Sequence, residues 1–384
     1  MNRLRTISTR RLLAVGAAVA ALAVSGGIAQ AALSGSDERP APKPLDRAVY
    51  DATRAPAVDG ITARIEFTNG LLPAGSLPNG AASPLAAGAK GRLWMTGDGR
   101  FRLELQSDGG DAQIVSDGER ISVYDASTNT LYRSAFKLHD RGHGDEPTLG
   151  DIRKGLDALA QTWTLSGARP TNTAGRPSYT LRLAPKDDGG LLGAAEIAWD
   201  AANGVPLRGA VYAQGQSDPV LELEVTDISF GKVSNATVST RPPAGARVVE
   251  IDPMLTGTGA HAARARGVEA VQRRLDFPLA APRELAGLPR RDVRLIRSDE
   301  GLGAVTTYGE GMGAILVMQQ KTGHDPLRSQ VAQQLPKVNI DGGTGTELAT
   351  ALGTVVWFDR DGVSYTVAGS VPPVAAENAA RGLG

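Results

Sequence analysis

Through the first two thirds of the chain, apolar and polar residues repeatedly alternate at a period of two. In "ITARIEFTNGLL", Ile61, Ala63, Ile65 and Phe67 fall on one side and Thr62, Arg64 and Glu66 on the other. This is the pattern of a strand with one buried and one wet face. "GRLWMT" sets Leu93 with Met95, "RFRLEL" sets Phe101, Leu103 and Leu105 against Arg100, Arg102 and Glu104, and "RISVYD" sets Ile121 with Val123. The sequences "GDG", "SDGG" and "SDGE" between these runs are turn-formers, so the segment predicts a series of antiparallel hairpins. At "TLGDIRKGLDALAQTW" the period changes. Leu149, Ile152, Leu156 and Leu159 recur at helical spacing, and Thr148 with Asp151 is placed to cap the first turn. A helix among strands is expected to lay its apolar stripe on the sheet. A shorter helix is predicted over "LDRAVYDATR". Strand patterns resume in "SYTLRLAP", which carries Leu181 and Leu183, then in "GAAEIAWDA", "PLRGAVYAQ" and "PVLELEVTDISFG", and close with "STRPPAGARVVEID".

The pattern loosens after Ile251. "DPMLTGTGAHAARARGVEAVQRRLDFP" begins as a glycine-rich link and becomes a connecting helix with Val268, Val271 and Leu275 on one side. Beyond it, "RDVRLIRSD", "AVTTYG", "GAILVMQQ", "GTVVWFD" and "VSYTVAG" read as strands, and "VAAENAARG" as a closing helix. The expected organisation is therefore a mainly β domain over residues 45–251, a linker with a connecting helix over 252–274, and a small α+β domain over 275–384.

Composition changes this picture chiefly at the N-terminus. Arg3, Arg5, Arg10 and Arg11 precede the apolar run "LLAVGAAVAALAVSGGIAQA", which ends in Ala29-Gln30-Ala31. That arrangement predicts a signal peptide over residues 1–31, cleaved before Ala32, and an exported, extracytoplasmic chain of the cell envelope. The run is also long enough to cross a bilayer, so an uncleaved, membrane-tethered form is the alternative. Arg10-Arg11 partly matches a twin-arginine signal. Residues 32–44, with "SGSDERPAPKP", form a polar, proline-rich leader expected to act as a spacer. The chain has no cysteine, which excludes disulfides, thiolate metal sites, a cysteine nucleophile and acylation on an N-terminal Cys. Its formal charge is zero, and no basic stripe interleaved with aromatics suggests nucleic acid.

Candidate chemistry is sparse. His139 and His143 in "HDRGHGDEP" have the i, i+4 spacing of a helical metal pair, but the surrounding Gly, Asp and Pro oppose a helix. His261 and His324 are isolated, and no G-x-S-x-G elbow frames a serine. "GEGMGA", Gly309 to Ala314, lacks the lysine and the strand-loop-helix context of a nucleotide loop. "DRDG", Asp359 to Gly362, is too short for a calcium loop. Both read as hairpin turns, as do Ser116, Asp117 and Gly118 within "IVSDGERISVYDASTNTLYR". No catalytic residue, metal site or cofactor is assigned, and the chain is read as a non-enzyme.

The stretch "GRLWMTGDGRFRLELQSDGGDAQIVSDGERISVYDASTNTLY", Gly91 to Tyr132, resembles the LolA type of lipoprotein carrier. The likeness lies in a glycine-led strand bearing Trp94, a strand bearing Phe101, then "VSDG" and an aromatic-Asp pair. "GVPLRGAVY" and "RPPAGARVVE" resemble the end of the same domain, so the likeness spans about Leu45 to Ile251. It implies an unclosed, strongly curved antiparallel sheet, a half-barrel covered by helices, with an apolar cavity that holds acyl chains. Candidate cavity residues are Ile65, Phe67, Leu93, Met95, Phe101, Leu103, Leu105, Leu181 and Leu183 from the strands, with Leu156 and Leu159 from the covering helix. The same side chains would serve an ordinary dry core. Where the carriers have a basic residue and a proline after the Trp-bearing strand, this chain has Thr96, Gly97 and Asp98, so their arginine latch has no counterpart that can be assigned. The added second domain is similar to the layout of the RseB-like periplasmic regulators. Two functions follow as expectations: an exported binding protein for a lipid or acylated lipoprotein, or an envelope-stress regulator that binds an anti-sigma factor or another membrane-anchored regulatory protein. An enzyme comes third.

Overall fold

A computed structural model describes residues 38–71, 84, 88–108, 110–126, 129–135, 147–186, 190–239, 244–251, 265–298, 301–323 and 335–383. The expected signal peptide, the first part of the leader, and the four histidines lie outside the described residues.

The alternating segments form strands. β1 (Gly60–Asn69), β2 (Ala89–Thr96), β3 (Phe101–Ser107), β4 (Gly110–Ser116), β5 (Arg120–Asp125) and β6 (Thr130–Ala135) follow one another as antiparallel neighbours. They are preceded by helix α1 (Leu45–Thr53) and followed by α2 (Leu149–Leu159). The capping pair is present: the Thr148 hydroxyl accepts from the Asp151 amide, and the Asp151 carboxylate accepts from the Thr148 amide. Then come β7 (Trp163–Leu165), β8 (Arg169–Thr173), β9 (Arg176–Pro185), β10 (Leu192–Asp200), β11 (Pro206–Ala213), β12 (Leu221–Phe230), the short α3 (Asn235–Val238) and β13 (Arg247–Ile251). The sheet of 13 strands runs β13-β6-β5-β4-β3-β2-β1-β12-β11-β10-β9-β7, with β8 paired to β9. Only β13 and β6 pair in parallel among these neighbours.

An open sheet of this width must curl, because every strand adds the same hand of twist. Arg176, which opens β9, lies 5.0 Å from the ring centroid of Phe230, which closes β12, although two strands separate theirs in the sheet. Ala174, in the β8–β9 turn, packs on the cluster formed by Ile61, Ala63, Met95 and Leu207. A β-bulge interrupts the β1–β12 register between Arg64 and Ile65, which sharpens the bend. Gly91 on β2 is part of the same geometry: a Cβ there would stand 2.0 Å from the Glu104 carbonyl oxygen of the next strand. The fold is thus mainly β, with an unclosed, curled antiparallel sheet.

Helix α1 covers one limb of the inner face. Ala48 is buried with Tyr179, Leu181 and Trp199 of β9 and β10, and Leu45, Val49 and Ala52 pack around them. Helix α2 packs on α1, with Arg153 bonded to Asp46 at 2.6 Å. The stripe expected to lie on the sheet therefore contributes a second layer, and no α2 residue is fully buried.

The second sheet follows α4 (Val268–Gln272). It comprises β14 (Glu284–Leu285), β15 (Leu288–Ser298), β16 (Gly301–Tyr308), β17 (Ile315–Lys321), β18 (Lys337–Ile340), β19 (Gly343–Thr350), β20 (Gly353–Arg360) and β21 (Val363–Gly369), in the order β14-β15-β16-β17-β21-β20-β19-β18. The closing helix α5 (Pro373–Arg381) buries Ala376, Ala379 and Ala380 against this sheet. Both suspected ligand loops are turns, "GEGMGA" between β16 and β17 and "DRDG" between β20 and β21.

The hydrophobic clusters of the two sheets are separate, and backbone hydrogen bonds join them. The Leu191 amide donates to the carbonyl and hydroxyl oxygens of Ser370, both at 3.0 Å, and the Ala351 amide donates to the Leu71 carbonyl at 2.8 Å. Gly190 has φ +63°, and a Cβ there would stand 2.0 Å from the Ser370 carbonyl oxygen, so the contact demands glycine.

Candidate functional site: the inner face of the first sheet

The register places the inward side chains of β1 to β6 in continuous rows. One row runs Ile228, Ala63, Leu93, Leu103, Ile114, Val123 and Tyr132 across seven neighbouring strands. The adjacent row runs Phe230, Ile61, Met95, Phe101, Ser116 and Ile121. These alignments follow from period two: once two strands are in register, every inward residue meets another inward residue.

Burial divides the face. Ile61, Ala63, Ile65, Met95, Leu105 and Ala112 are fully buried in one cluster with Val225 of the neighbouring β12, with Leu207 of β11 beyond it and with Val205 just before that strand. Further along, Leu93, Phe101, Leu103, Ile114, Ile121, Val123 and Tyr132 are only half-buried. Among the described residues no helix packs extensively on β4, β5 or β6, whereas α3 covers the far ends of β2 and β3 and buries Val238. These half-buried side chains form a contiguous apolar row along one face of the sheet.

The expected cavity residues thus separate into groups. Ile65, Met95 and Leu105 are core, while Phe67, Leu93, Phe101 and Leu103 pack at the edge of the same cluster. Leu181 and Leu183 belong to the other limb, beneath α1. Leu156 and Leu159 are half-buried on α2, outside both clusters. Ile114 and Tyr132 join the open row although sequence reasoning did not single them out. The signal for Ile114 was the alternation of Ala112, Ile114 and Ser116, masked by the adjoining Val115.

The turn after the Trp-bearing strand has its own arrangement. Asp98 accepts from the Thr96 hydroxyl and from Arg100, whose Nη2 lies 2.6 Å from Asp98 Oδ2 and donates to Asn235 Oδ1 of α3 at 2.8 Å. The Arg100 guanidinium, with the Thr96 hydroxyl, lowers the Asp98 carboxyl to a pKa of about 2. This cluster ties α3 to the β2–β3 end of the open row. Asp117 closes the β4–β5 turn by accepting from the amides of Glu119 and Arg120 at 2.9 and 2.7 Å. Ser116, whose hydroxyl accepts from the Gly118 amide at 3.3 Å, and Asp117 are therefore turn-formers.

On the outer face, Glu196 accepts from Arg182 at 3.0 Å, Arg208 at 2.8 Å, Arg169 at 3.3 Å and the Tyr212 hydroxyl at 2.9 Å. Arg208 also binds Glu222 at 2.6 Å. Burial opposes ionisation of Glu196, but these donors outweigh it and lower its pKa. Every member has a structural partner, so the network reads as a strand-to-strand brace. Among the described residues, no group of three or more His, Cys, Asp or Glu could hold a metal, and no helix is long and apolar enough to cross a membrane.

No family model matches the chain, and no curated protein matches it. Among solved structures it is similar to the Pseudomonas aeruginosa MucA/MucB complex, at 17% identity over 87% of this chain and 95% of that chain, with a TM-score of 0.41. It is similar to an uncharacterized conserved protein from Thermus thermophilus, at 14% identity over 54% of this chain and 97% of that chain, with a TM-score of 0.34. A LolA superfamily protein from Nitrosomonas europaea is likewise similar, at 12% identity over 52% of this chain and 99% of that chain, with a TM-score of 0.23.

Proposed function

We propose that this chain is an exported, non-enzymatic binding protein that holds the acyl chain of a lipid or acylated lipoprotein on the inner face of its first sheet. The observation that carries the reading is the half-exposed apolar row Leu93, Leu103, Ile114, Val123 and Tyr132, continuous with a fully buried core on one side only. Such a surface suits an acyl chain, whose affinity comes almost entirely from area removed from water, about 0.8 kcal/mol per buried CH₂. Apart from the Tyr132 hydroxyl, the row's side chains are aliphatic and carry no hydrogen-bonding group. The buried members, Ile65, Met95 and Leu105, form the floor on which the row rests; Leu181 and Leu183 contribute the opposite limb.

Mass spectrometry of organic extracts tests this, with the protein purified from its native host without detergent. A stoichiometric acyl lipid is the expected result. An empty protein that also fails to take up a fluorescent fatty acid would refute the reading.

A further inference from the structure

A second surface, beside the second sheet and independent of the apolar row's reading, has the chemistry of an anion site. Beside α4 the described residues line an open surface groove of about 470 Å³ whose charged side chains are Arg266, Arg273 and Arg274. A second cavity of about 230 Å³ continues from Arg274 to Asp276 and Lys321 at the ends of β16 and β17. Arg274 lines both, so the two adjoin at that side chain and together present four cationic side chains and one carboxylate.

The charges are not equally committed. Asp276 accepts from Lys321 at 3.0 Å, and Asp292 accepts from Arg266 at 2.9 Å and from Arg294. Among the described residues neither the Arg273 nor the Arg274 side chain has a hydrogen-bond or ion-pair partner, and both line the groove. Their backbone is well anchored. The Arg273 amide donates to the Glu269 carbonyl at 3.2 Å and that of Arg274 to the Val271 carbonyl at 2.9 Å. Val271, fully buried, packs with Val293 and Leu295 on one side of the pair, and the buried Phe277 follows on the other. Fixed anchors on both sides hold the two stems in one neighbourhood, which reduces the conformational freedom lost on binding an anion.

We propose that this groove binds a phosphoryl group, with Arg273 and Arg274 as its principal ligands and Arg266 and Lys321 as flanking charges. A carboxylate occupies one guanidinium fork, whereas a phosphoryl group offers three acceptor oxygens and up to two charges, enough to engage both forks together. Arginine is the apt residue because its planar fork pairs bidentately where lysine acts as a point charge. The phosphoryl group could be carried by an anionic lipid headgroup or by a free phosphate or phosphomonoester.

The test titrates the intact protein with inorganic phosphate, glycerol phosphate and a hexaglutamate peptide by calorimetry at low and high salt. Co-flotation with phosphatidylcholine vesicles, with and without phosphatidic acid, whose headgroup is a phosphomonoester, forms the second arm. The expected result is salt-sensitive binding of phosphate and glycerol phosphate, weakened about tenfold by R273A or R274A. Flotation with the phosphatidic acid vesicles alone would identify a headgroup as the source, and binding confined to the soluble phosphates a free one; either supports the site. R273K/R274K keeps the charge and removes the forks, so it separates recognition from field and should bind more weakly than the native chain. The proposal is overturned by equal affinity in R273K/R274K, by tighter binding of hexaglutamate, or by absence of phosphate binding while thermal unfolding remains native.

Discussion

Leu103→Arg should weaken acyl binding about a hundredfold and leave the fold standing. Leu103 is half-buried at the middle of the open row, between Leu93 on β2 and Ile114 on β4. An arginine stem can lie along the same apolar neighbours while its guanidinium reaches the open side, so the folding cost should stay below about 1.5 kcal/mol. The same guanidinium occupies the path of the ligand. Displacing about four methylenes at about 0.8 kcal/mol each costs about 3 kcal/mol, or roughly a hundredfold in Kd. Leu105, two residues along on the same face, is 2% exposed and serves as the contrast. Leu105→Ala opens a cavity in a closed core and should cost about 2–5 kcal/mol of stability. The assay pairs displacement of a fluorescent fatty acid with urea unfolding monitored by circular dichroism. The reasoning is refuted if Leu103→Arg destabilises the protein as much as Leu105→Ala does, because Leu103 would then be sealed core. It is equally refuted if the variant folds and binds the fatty acid with native affinity.

Three other outcomes follow from the same structure. Glu196→Ala removes the acceptor of Arg169, Arg182, Arg208 and Tyr212 and should cost about 3 kcal/mol in urea unfolding. Replacing Arg208 in that background should then cost far less than it does alone, and additive losses would dismiss the network. Gly190→Val introduces a Cβ at the Ser370 carbonyl and strains a backbone at φ +63°; it should cost about 2–4 kcal/mol and speed hydrogen exchange at the Leu191 amide, whereas unchanged exchange would show that the junction tolerates it. Burial first, then the neighbouring Glu377 carboxyl, raises the pKa of Glu347 above 4.5. Its folded form holds the proton more tightly than the unfolded form, so the contribution is fully present below the unfolded pKa and is lost as pH rises through the folded value. Glu347→Gln should remove that decline, and parallel stability-pH curves for the two proteins would contradict the assignment.

The features that the sequence determined are those with a local physical cause. Alternation at period two placed Ile61, Ala63, Ile65 and Phe67 on one side of a strand because successive side chains must point to opposite faces. The Thr148–Asp151 cap and the "DRDG" turn are likewise local, each specified by a few adjacent residues. Strands without alternation left weaker traces. β8, "RPTNT", and β19, "GTGTELAT", are carried by their neighbours' hydrogen bonds rather than by their own apolar pattern.

Tertiary structure decided which apolar faces are closed and which remain open. Leu103 and Leu105 have the same residue type, strand and face, yet one is half-exposed and the other sealed. Leu105 is a buried member of the cluster that holds Val205, Leu207 and Val225, whereas Leu103 packs at its margin; those three residues are far away in the chain and are brought there by the pairing of β1 with β12 and the curl of the sheet. The position of Leu156 and Leu159 was decided in the same way. Their helical stripe was evident in the chain, but α1 reached the inner face of β9 and β10 and left α2 to pack on α1. Periodicity says that a face must be buried; the choice of what buries it belongs to contacts between residues far apart in sequence.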